Sequence, residues 1–348
     1  MHLFKNLFSI LCCGLFPILT QAAIEASLPP SLVNPGYHEQ PAWFTQSFLD
    51  LGEDIAEADA ADKQLILYFY QDGCPYCARL LRDNFGNPAI ARQVQDYFHV
   101  VALNIWGDRE VTDLKQQITT EKAYALAERV HYTPTLIFLD NKGETLLRLN
   151  GYLPPDKFHQ ALNYVIAQRE PQTRQTPDTT TRRNTQPLPP MAAALPHPLR
   201  LATDTPRERP LLVIFSESDC TDCTALHQRL QQPAIATALT NLDVALLNRW
   251  SPQRVQTPSG DTLPAIEWAR RLQLHFSPSL IFFDRNGQEV FRAETSLESF
   301  HLHAVLDYVI SGAYQHQPSF QRFLQHRGDT LEARGIPVAL LDPPGEQP

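Results

Sequence analysis

Short apolar runs alternate with segments of helical periodicity along much of this 348-residue chain. The runs Leu65–Tyr70 and Leu211–Phe215 are almost entirely apolar, which is typical of strands buried on both faces of a sheet. In the first half, the pattern predicts helices at 42–60, 74–84, 87 onward, 120–130 and 156–168, and strands at 65–70, 99–104, 135–139 and 145–149. This order predicts an α/β fold with a mixed central sheet and helices on both faces.

The second half of the chain repeats the first. Residues 87–91 match residues 232–236, and the turn at 140–143 matches the turn at 284–287. The offset between equivalent residues is 146 at the two Cys-x-x-Cys motifs and 144 at these turns, so only two small deletions separate the halves. A repeat of this length indicates a duplicated domain, since solenoid units are much shorter.

The composition predicts the domain boundaries. Two domains are expected at residues 40–168 and 210–312. Residues 169–209 are rich in Pro, Thr, Arg and Gln and lack apolar periodicity, so they are expected to form a semi-extended, mobile linker. Near-helical spacing of apolar residues predicts a short C-terminal helix at 318–334, followed by a tail at 335–348.

The N-terminus has the pattern of a secretory signal peptide over residues 1–23. Lys5 supplies positive charge, residues 7–19 are mostly apolar, and Thr20–Ala23 offers small residues for cleavage. The apolar stretch is short for a membrane span, although an uncleaved anchor is the alternative. The chain is therefore expected in the periplasm, where disulfides can persist.

Charge and cysteine content narrow the function. The net charge of −9 leaves no basic face for nucleic acid, so no nucleic-acid partner is expected. Of the six cysteines, two lie in the predicted signal peptide, and the other four form the pairs Cys74/Cys77 and Cys220/Cys223. With no other cysteine available to staple distant segments, these four thiols are interpreted as reactive groups.

Each pair lies where a predicted strand gives way to a helix. A thiol at a helix N-terminus is near free N–H groups and the positive end of the helix dipole, which favour the thiolate and lower its pKa. The sequence therefore predicts Cys74 as the nucleophile and Cys77 as the resolving thiol, one helical turn further on. Cys220 and Cys223 are the equivalent candidates in the second half.

A proline-led strand follows each pair. These strands open with Thr133-Pro134 and Ser277-Pro278. A cis bond at such a proline makes a tight turn and exposes backbone groups with which a client chain can pair. These four residues are therefore the candidate substrate-binding residues.

Metal binding is the main competing interpretation of the cysteines. Paired Cys-x-x-Cys motifs can form a tetrahedral zinc site, although such sites usually have their halves within a few tens of residues of each other. A single pair could instead carry copper, which prefers soft thiolate ligands. Because each pair lies in its own repeat beside its own proline, we expect no metal and no cofactor. His131 and His275 precede the prolines in both repeats, and packing or proton handling are their two candidate roles.

Both predicted domains resemble members of the thioredoxin superfamily, and the first is most similar to exported thioredoxins associated with bacterial sulfur oxidation, through residues 104–111 and 151–153. The resemblance implies two tandem thioredoxin-like domains, in which Cys74, Cys77 and Pro134 carry the function of the first. It also implies a periplasmic protein that acts on disulfides of exported partner proteins and is kept reduced by a membrane-embedded electron donor.

Two features depart from that family. Many thioredoxins have a buried acidic residue six positions before the first cysteine, where this chain has Tyr68 and Ile214, so the resolving step would need another base or a water molecule. Glu217, Asp219 and Asp222 surround the second pair, and nearby negative charge raises a thiol pKa. The second pair is therefore expected to be less reactive than the first.

The sequence thus predicts a thiol–disulfide oxidoreductase that reduces disulfides of exported proteins. The alternative of a different class is a non-catalytic module, in which thioredoxin-like domains dock partners at the proline loops without redox chemistry.

Overall fold

The computed structural model describes residues 39–168, 184–202, 206–295 and 297–338. The first unit contains α1 Leu51–Ala60, β1 Gln64–Tyr70, α2 Pro75–Arg79, α3 Pro88–Tyr97, β2 Phe98–Asn104, β3 Glu110–Thr112, β4 Ile118–Thr120, α4 Glu121–Ala127, β5 Thr135–Leu139, β6 Thr145–Asn150 and α5 Pro155–Ala167. The rest contains β7 Leu211–Ser216, α6 Thr221–Leu230, α7 Pro233–Leu239, β8 Asp243–Asn248, β9 Arg254–Gln256, β10 Thr262–Pro264, α8 Ala265–Arg271, β11 Ser279–Phe283, β12 Glu289–Ala293, α9 Ser299–Ile310 and α10 Phe320–Ala333. The predicted signal peptide lies outside the described residues.

Each unit is built on a four-stranded mixed sheet, with the order β2-β1-β5-β6 in the first unit and β8-β7-β11-β12 in the second. The central strands β1 and β7 pair in parallel with β2 and β8, and antiparallel with β5 and β11. The predicted α/β class, with two similar units, is confirmed.

Both faces of each sheet are covered, which explains the continuous apolar runs. Alternate side chains of a strand point to opposite faces. In β1, Ile66 and Tyr68 enter one core, while Leu65, Leu67 and Phe69 enter the core on the other face. The strand β7 divides its side chains between two cores in the same way.

Polar caps and prolines determine where several helices begin. The Asp50 carboxylate accepts hydrogen bonds from the N–H groups of Gly52 and Glu53, so α1 begins later than the periodicity predicted. Asn87 caps α3 in the same manner, and Pro88 occupies its first turn, where a missing N–H costs nothing.

Two local features were not predicted. The helix expected at 74–84 is a single α-helical turn, α2, that continues as the π-helical segment Leu80–Phe85. The polar segment after β2 contains the hairpin β3–β4, and the second unit has the equivalent hairpin β9–β10. Three-residue strands carry too little periodicity to be recognised in a sequence.

Part of the predicted linker packs on the second unit. Leu199 and Leu201 are buried in its core, and the Leu195 N–H donates to the Val244 carbonyl at 2.7 Å. For residues 184–202 the prediction of a mobile segment is therefore wrong, because isolated leucines without periodicity still bury apolar area. Residues 169–183 lie outside the described residues.

The two units contact each other through equivalent residues. Tyr132, which precedes the proline loop of the first unit, is part of a core of the second unit. Its counterpart Phe276 packs against a core of the first unit. Gly151 and its counterpart Thr295 also meet: a Cβ atom on Gly151 would lie 2.9 Å from the Thr295 methyl group, and the Gly151 φ of +103° already favours glycine. Equivalent residues of the two units thus make reciprocal contacts, as they do across the interface of a symmetric dimer.

Candidate active site

The first cysteine pair lies at the start of α2, and its Cα atoms are 5.2 Å apart in a disulfide. Cys74 is the N-cap residue of that helix, and its Sγ accepts a hydrogen bond from the Cys77 N–H at 3.0 Å. A backbone N–H donor would also stabilise a negative charge on this sulfur in the reduced protein. The pair therefore forms a disulfide at a helix N-terminus, with the first sulfur next to a backbone donor.

The first proline loop lies directly against that sulfur. The Thr133–Pro134 peptide bond is cis, and the Thr133 carbonyl oxygen lies 3.6 Å from Cys74 Sγ. The Thr133 hydroxyl donates to the same sulfur at 3.2 Å. Thus the structure brings together the four candidate residues of the first unit, which are 59 residues apart in sequence at this contact.

The second pair has the same arrangement. Cys220 is the N-cap of α6 and accepts from the Cys223 N–H at 3.2 Å, and the two Cα atoms are 5.1 Å apart in a disulfide. The Ser277–Pro278 bond is cis, and the Ser277 carbonyl oxygen lies 3.5 Å from Cys220 Sγ. The four candidate residues of the second unit therefore also form one site.

Helix α10 and the second unit cover the first site. The Gln321 side chain donates to the Thr133 hydroxyl at 3.4 Å, and the Arg322 guanidinium lies 4.9 Å above the Trp106 ring. A cavity of about 600 Å³ remains between the dithiol, α9 and α10, lined among others by Cys74 and Arg229. Cys74 itself is only 2 % exposed.

The covered state contrasts with the sequence-based ranking of the two sites. Cys220 is half-buried, whereas Cys74, the predicted nucleophile, is buried. Part of the chain before the second unit also approaches the second site: the Asn184 amide donates to the Asp219 carboxylate at 2.7 Å. Each site is thus bordered by a segment that does not belong to its own unit.

Each dithiol helix also contacts the last helix of the other unit. Tyr76, inside the first Cys-x-x-Cys motif, packs edge-to-face on His301 of α9 with ring centroids 5.0 Å apart. Asp222 occupies the equivalent position in the second motif, and its carboxylate accepts from Lys157 of α5 at 2.5 Å. Lys157 and His301 are equivalent under the repeat, so these two contacts are the same contact made in both directions.

No buried carboxylate occupies the position before the cysteines that many thioredoxins use. Tyr68 is fully buried there, and burial raises the pKa of its hydroxyl, so it cannot act as a base near neutral pH. The sequence alone shows that Tyr68 and Ile214 occupy this position.

The two histidines next to the proline loops pack against the opposite unit. The His131 ring lies 5.7 Å from that of Phe291, and the His275 ring lies 5.1 Å from that of Tyr164. Burial lowers the pKa of each imidazole to about 4. Both are therefore neutral at pH 7, and the contacts favour packing over proton handling.

Sequence reasoning missed Lys157, Gln321 and Arg249. Arg249 donates to the Ser277 hydroxyl at 3.4 Å and pairs with Glu217 at 3.6 Å. These residues have no local motif, since each reaches its site only through the packing of distant segments. Among the residues that the structure describes, none form a cluster of three or more His, Cys, Asp or Glu side chains suited to a metal ion, and none form a helix long and apolar enough to span a bilayer.

Comparison with known proteins identifies the repeated unit. A sequence profile of the family described as "Thioredoxin-like domain" matches residues 51–166 and 200–310, which together exceed half of the chain. No curated protein matches the chain. The second match includes residues that composition alone assigned to the linker.

Several solved structures are similar to single units of the chain. A thioredoxin-fold protein from Helicobacter pylori is 14% identical, with a TM-score of 0.33, and the match covers 38% of this chain and 89% of that one. A thioredoxin from Thermus thermophilus is 25% identical, with a TM-score of 0.29 and coverage of 36% and 94%. The periplasmic thioredoxin SoxS from Paracoccus pantotrophus is 23% identical, with a TM-score of 0.22 and coverage of 31% and 100%.

Proposed function

Because the chain belongs to the thioredoxin-like domain family, we propose that it is a thiol–disulfide oxidoreductase that reduces disulfides of exported proteins in the periplasm. One observation supports the redox chemistry above all others. In both units, a Cys-x-x-Cys pair at disulfide distance lies against a cis-proline loop, and the first sulfur accepts a backbone N–H.

The geometry supports the following reaction. In the reduced protein, the Cys74 thiolate attacks one sulfur of a client disulfide, so a Cys74–client bond forms and the client S–S bond breaks. The departing client sulfur takes a proton from solvent. The Cys77 thiolate then attacks Cys74 Sγ, which forms the Cys74–Cys77 disulfide and releases the second client sulfur as a thiol. The client gains two electrons, and the dithiol loses them.

The covered first site adds a requirement. Because Cys74 is buried beneath α10 and the second unit, a folded client can reach it only after these elements move away. The second site is more open, with a half-buried Cys220. A membrane-embedded dithiol donor would restore both dithiols by the reverse exchange, in which its own thiols are oxidised.

The redox proposal is tested with single-cysteine variants. We expect Cys74→Ser and Cys220→Ser each to reduce the rate of insulin reduction by dithiothreitol-primed protein, and the double variant to abolish it, because each removes one attacking sulfur. Alkylation before and after reduction, followed by mass spectrometry, measures which pairs cycle. Full activity in the double variant would contradict the proposal.

Clients are identified by trapping. A Cys77→Ser variant cannot resolve its mixed disulfide, so it should accumulate covalent adducts through Cys74. The same chain with an additional Cys74→Ser change is the matched control and should accumulate none at that site. Adducts that consist of cytoplasmic proteins would contradict the proposed compartment.

The periplasmic location rests on residues 1–23. We expect this segment, fused to alkaline phosphatase that lacks its own signal, to give active enzyme, since the phosphatase needs disulfides that form after export. Replacement of an apolar residue such as Leu11 by Arg should abolish that activity. Activity that is unchanged by the replacement would contradict export by this segment.

A non-catalytic docking function is the second candidate, because both proline loops already bind side chains of other segments without covalent exchange. The Gln321 side chain donates to the Thr133 hydroxyl, and Lys157 donates to the Ser277 carbonyl. A partner would have to displace these contacts. If docking were the function, a chain in which all four of these cysteines are replaced by serine would still bind the same partners. Loss of partner binding in that chain would support redox exchange.

A further inference from the structure

Lys157 of the first unit extends into the dithiol site of the second unit. Its Nζ donates to the Asp222 carboxylate at 2.5 Å and to the Ser277 carbonyl oxygen at 3.0 Å. That same carbonyl oxygen lies 3.5 Å from Cys220 Sγ. One ammonium group therefore connects the helix that begins with the cysteine and the proline loop that faces it.

The charges around Cys220 give this contact a function. Glu217, Asp219 and Asp222 all lie within three residues of the sulfur-bearing residue, and each would disfavour a thiolate. Glu217 is paired with the Arg249 guanidinium at 3.6 Å, and Asp219 accepts from the Asn184 amide. Lys157 neutralises the third carboxylate, Asp222, which lies in the first turn of α6.

The equivalent contact of the first dithiol is aromatic. There, the ring of Tyr76 packs on His301, so the residue inside the motif is uncharged. The first unit thus supplies Lys157 to the second dithiol site, whose motif contains Asp222. The second unit supplies His301 to the first dithiol site, whose motif contains Tyr76.

We propose that Lys157 is a positioning residue of the second dithiol, which supports the Cys220 thiolate by offsetting the Asp222 charge and by holding the Ser277 carbonyl in place. The reactivity of the second unit therefore depends on the first unit being docked against it. This inference rests on the proposed function, and it explains how a cysteine surrounded by three acidic residues remains a usable nucleophile.

The test measures the alkylation rate of Cys220 in the full, reduced chain at pH 7, with Cys74 of the same molecule as the internal reference. We expect Lys157→Met to slow alkylation of Cys220 about three- to tenfold, because the carboxylate two residues after Cys220 then lacks its cation. Lys157→Arg should retain most of the rate. Cys74 should react at its usual rate in both variants.

Asp222→Asn should change the Cys220 alkylation rate in the opposite direction. Alone, it should speed alkylation, since the cation remains and the carboxylate is gone. Combined with Lys157→Met, it should bring the rate back close to that of the natural chain. A purely structural role for Lys157 would not produce this pattern. Lys122→Met, which breaks a surface pair with Asp108 of 2.7 Å, is the matched control and should change neither rate.

Two failures can be told apart, because alkylation needs no client disulfide. If Lys157→Met leaves the Cys220 rate unchanged, or if Asp222→Asn does not reverse the effect, the inference about Lys157 is overturned even where insulin reduction persists. If insulin is not reduced by any form while the alkylation rates follow the expected pattern, the electrostatic inference stands and the proposed reductase function falls.

Discussion

Glu294 is a buried carboxyl group at the contact between the two units. It is 4 % exposed, and its carboxylate oxygens accept from the His275 N–H at 3.4 Å and from the Asn150 amide at 3.5 Å. Asn150 is its counterpart in the first unit. Burial raises the pKa of Glu294 to about 7, although Arg292 and Arg249 act in the opposite direction. The group therefore holds a proton in the folded chain at pH values where an unfolded chain has lost it.

The raised pKa of Glu294 makes the folded state less stable as the pH rises from the acidic range to neutral. Because the pKa of Glu294 is raised on folding, its contribution to stability is complete below the ordinary glutamate pKa and is lost as the pH rises through about 7. We expect Glu294→Gln to remove this loss, and so to stabilise the chain by about 3 kcal/mol above pH 8 relative to pH 4. Urea unfolding at several pH values measures the effect. Parallel pH profiles for the two chains would contradict it.

Helix α10 is the element that closes the first site, and Phe320 anchors it. The Phe320 ring is 2 % exposed and lies 5.0 Å from the Phe291 ring and 5.3 Å from that of Tyr308. The next residue, Gln321, contacts Thr133. Consequently, the apolar anchor and the polar cover of the dithiol belong to the same helical turn.

Loosening this anchor should expose Cys74. Phe320→Ala removes a fully buried ring, which costs about 3–5 kcal/mol of packing. We expect faster alkylation of reduced Cys74 and earlier proteolytic cleavage within α10, while the Cys220 rate stays constant. His326→Ala, on the exposed side of the same helix, is the control. An unchanged Cys74 rate in the Phe320 variant would show that α10 does not limit access.

Local pattern was sufficient for the elements that hold the cysteines. The apolar run of β1, the N-cap position of Cys74 and the proline that leads β5 all lie within a few residues of the features that predict them. The contacts that distant segments make with the two dithiol sites were not predictable in the same way. Gln321 is 188 residues from Thr133, and Lys157 is 65 from Asp222, so nothing near either residue in the sequence indicates its contact. The repeat shows which residues are equivalent, but it does not show that the two units pack against each other or through which residues.

At the scale of the whole molecule, each unit contributes one half-buried histidine to the contact between the units. His131 packs on Phe291 of the second unit, and His275 packs on Tyr164 of the first. Burial lowers the pKa of both imidazoles to about 4. Protonation of either ring would place a charge between the units, where it lacks the solvation that water provides.

The contact between the units should therefore fail in acid. For a histidine whose pKa is lowered on folding, stability is complete above the ordinary imidazole pKa and is lost as the pH falls from about 6.5 to 4. Each ring contributes at most about 3 kcal/mol to this loss. We expect the Rg from small-angle scattering to rise over this range, and His131→Gln to lessen the rise. The exposed His159→Gln variant is the control, and an Rg constant down to pH 4 would contradict the prediction.

Covalent fusion of the two units has a further consequence for how the protein can vary. In a dimer of identical chains, every amino-acid change occurs at two places at once, so both copies of a contact must tolerate it. Here the copies are encoded separately, which permits an aromatic pair at Tyr76 and His301 alongside a salt bridge at Asp222 and Lys157. A single gene can in this way tune two otherwise matching sulfur centres to unequal strengths without separating them.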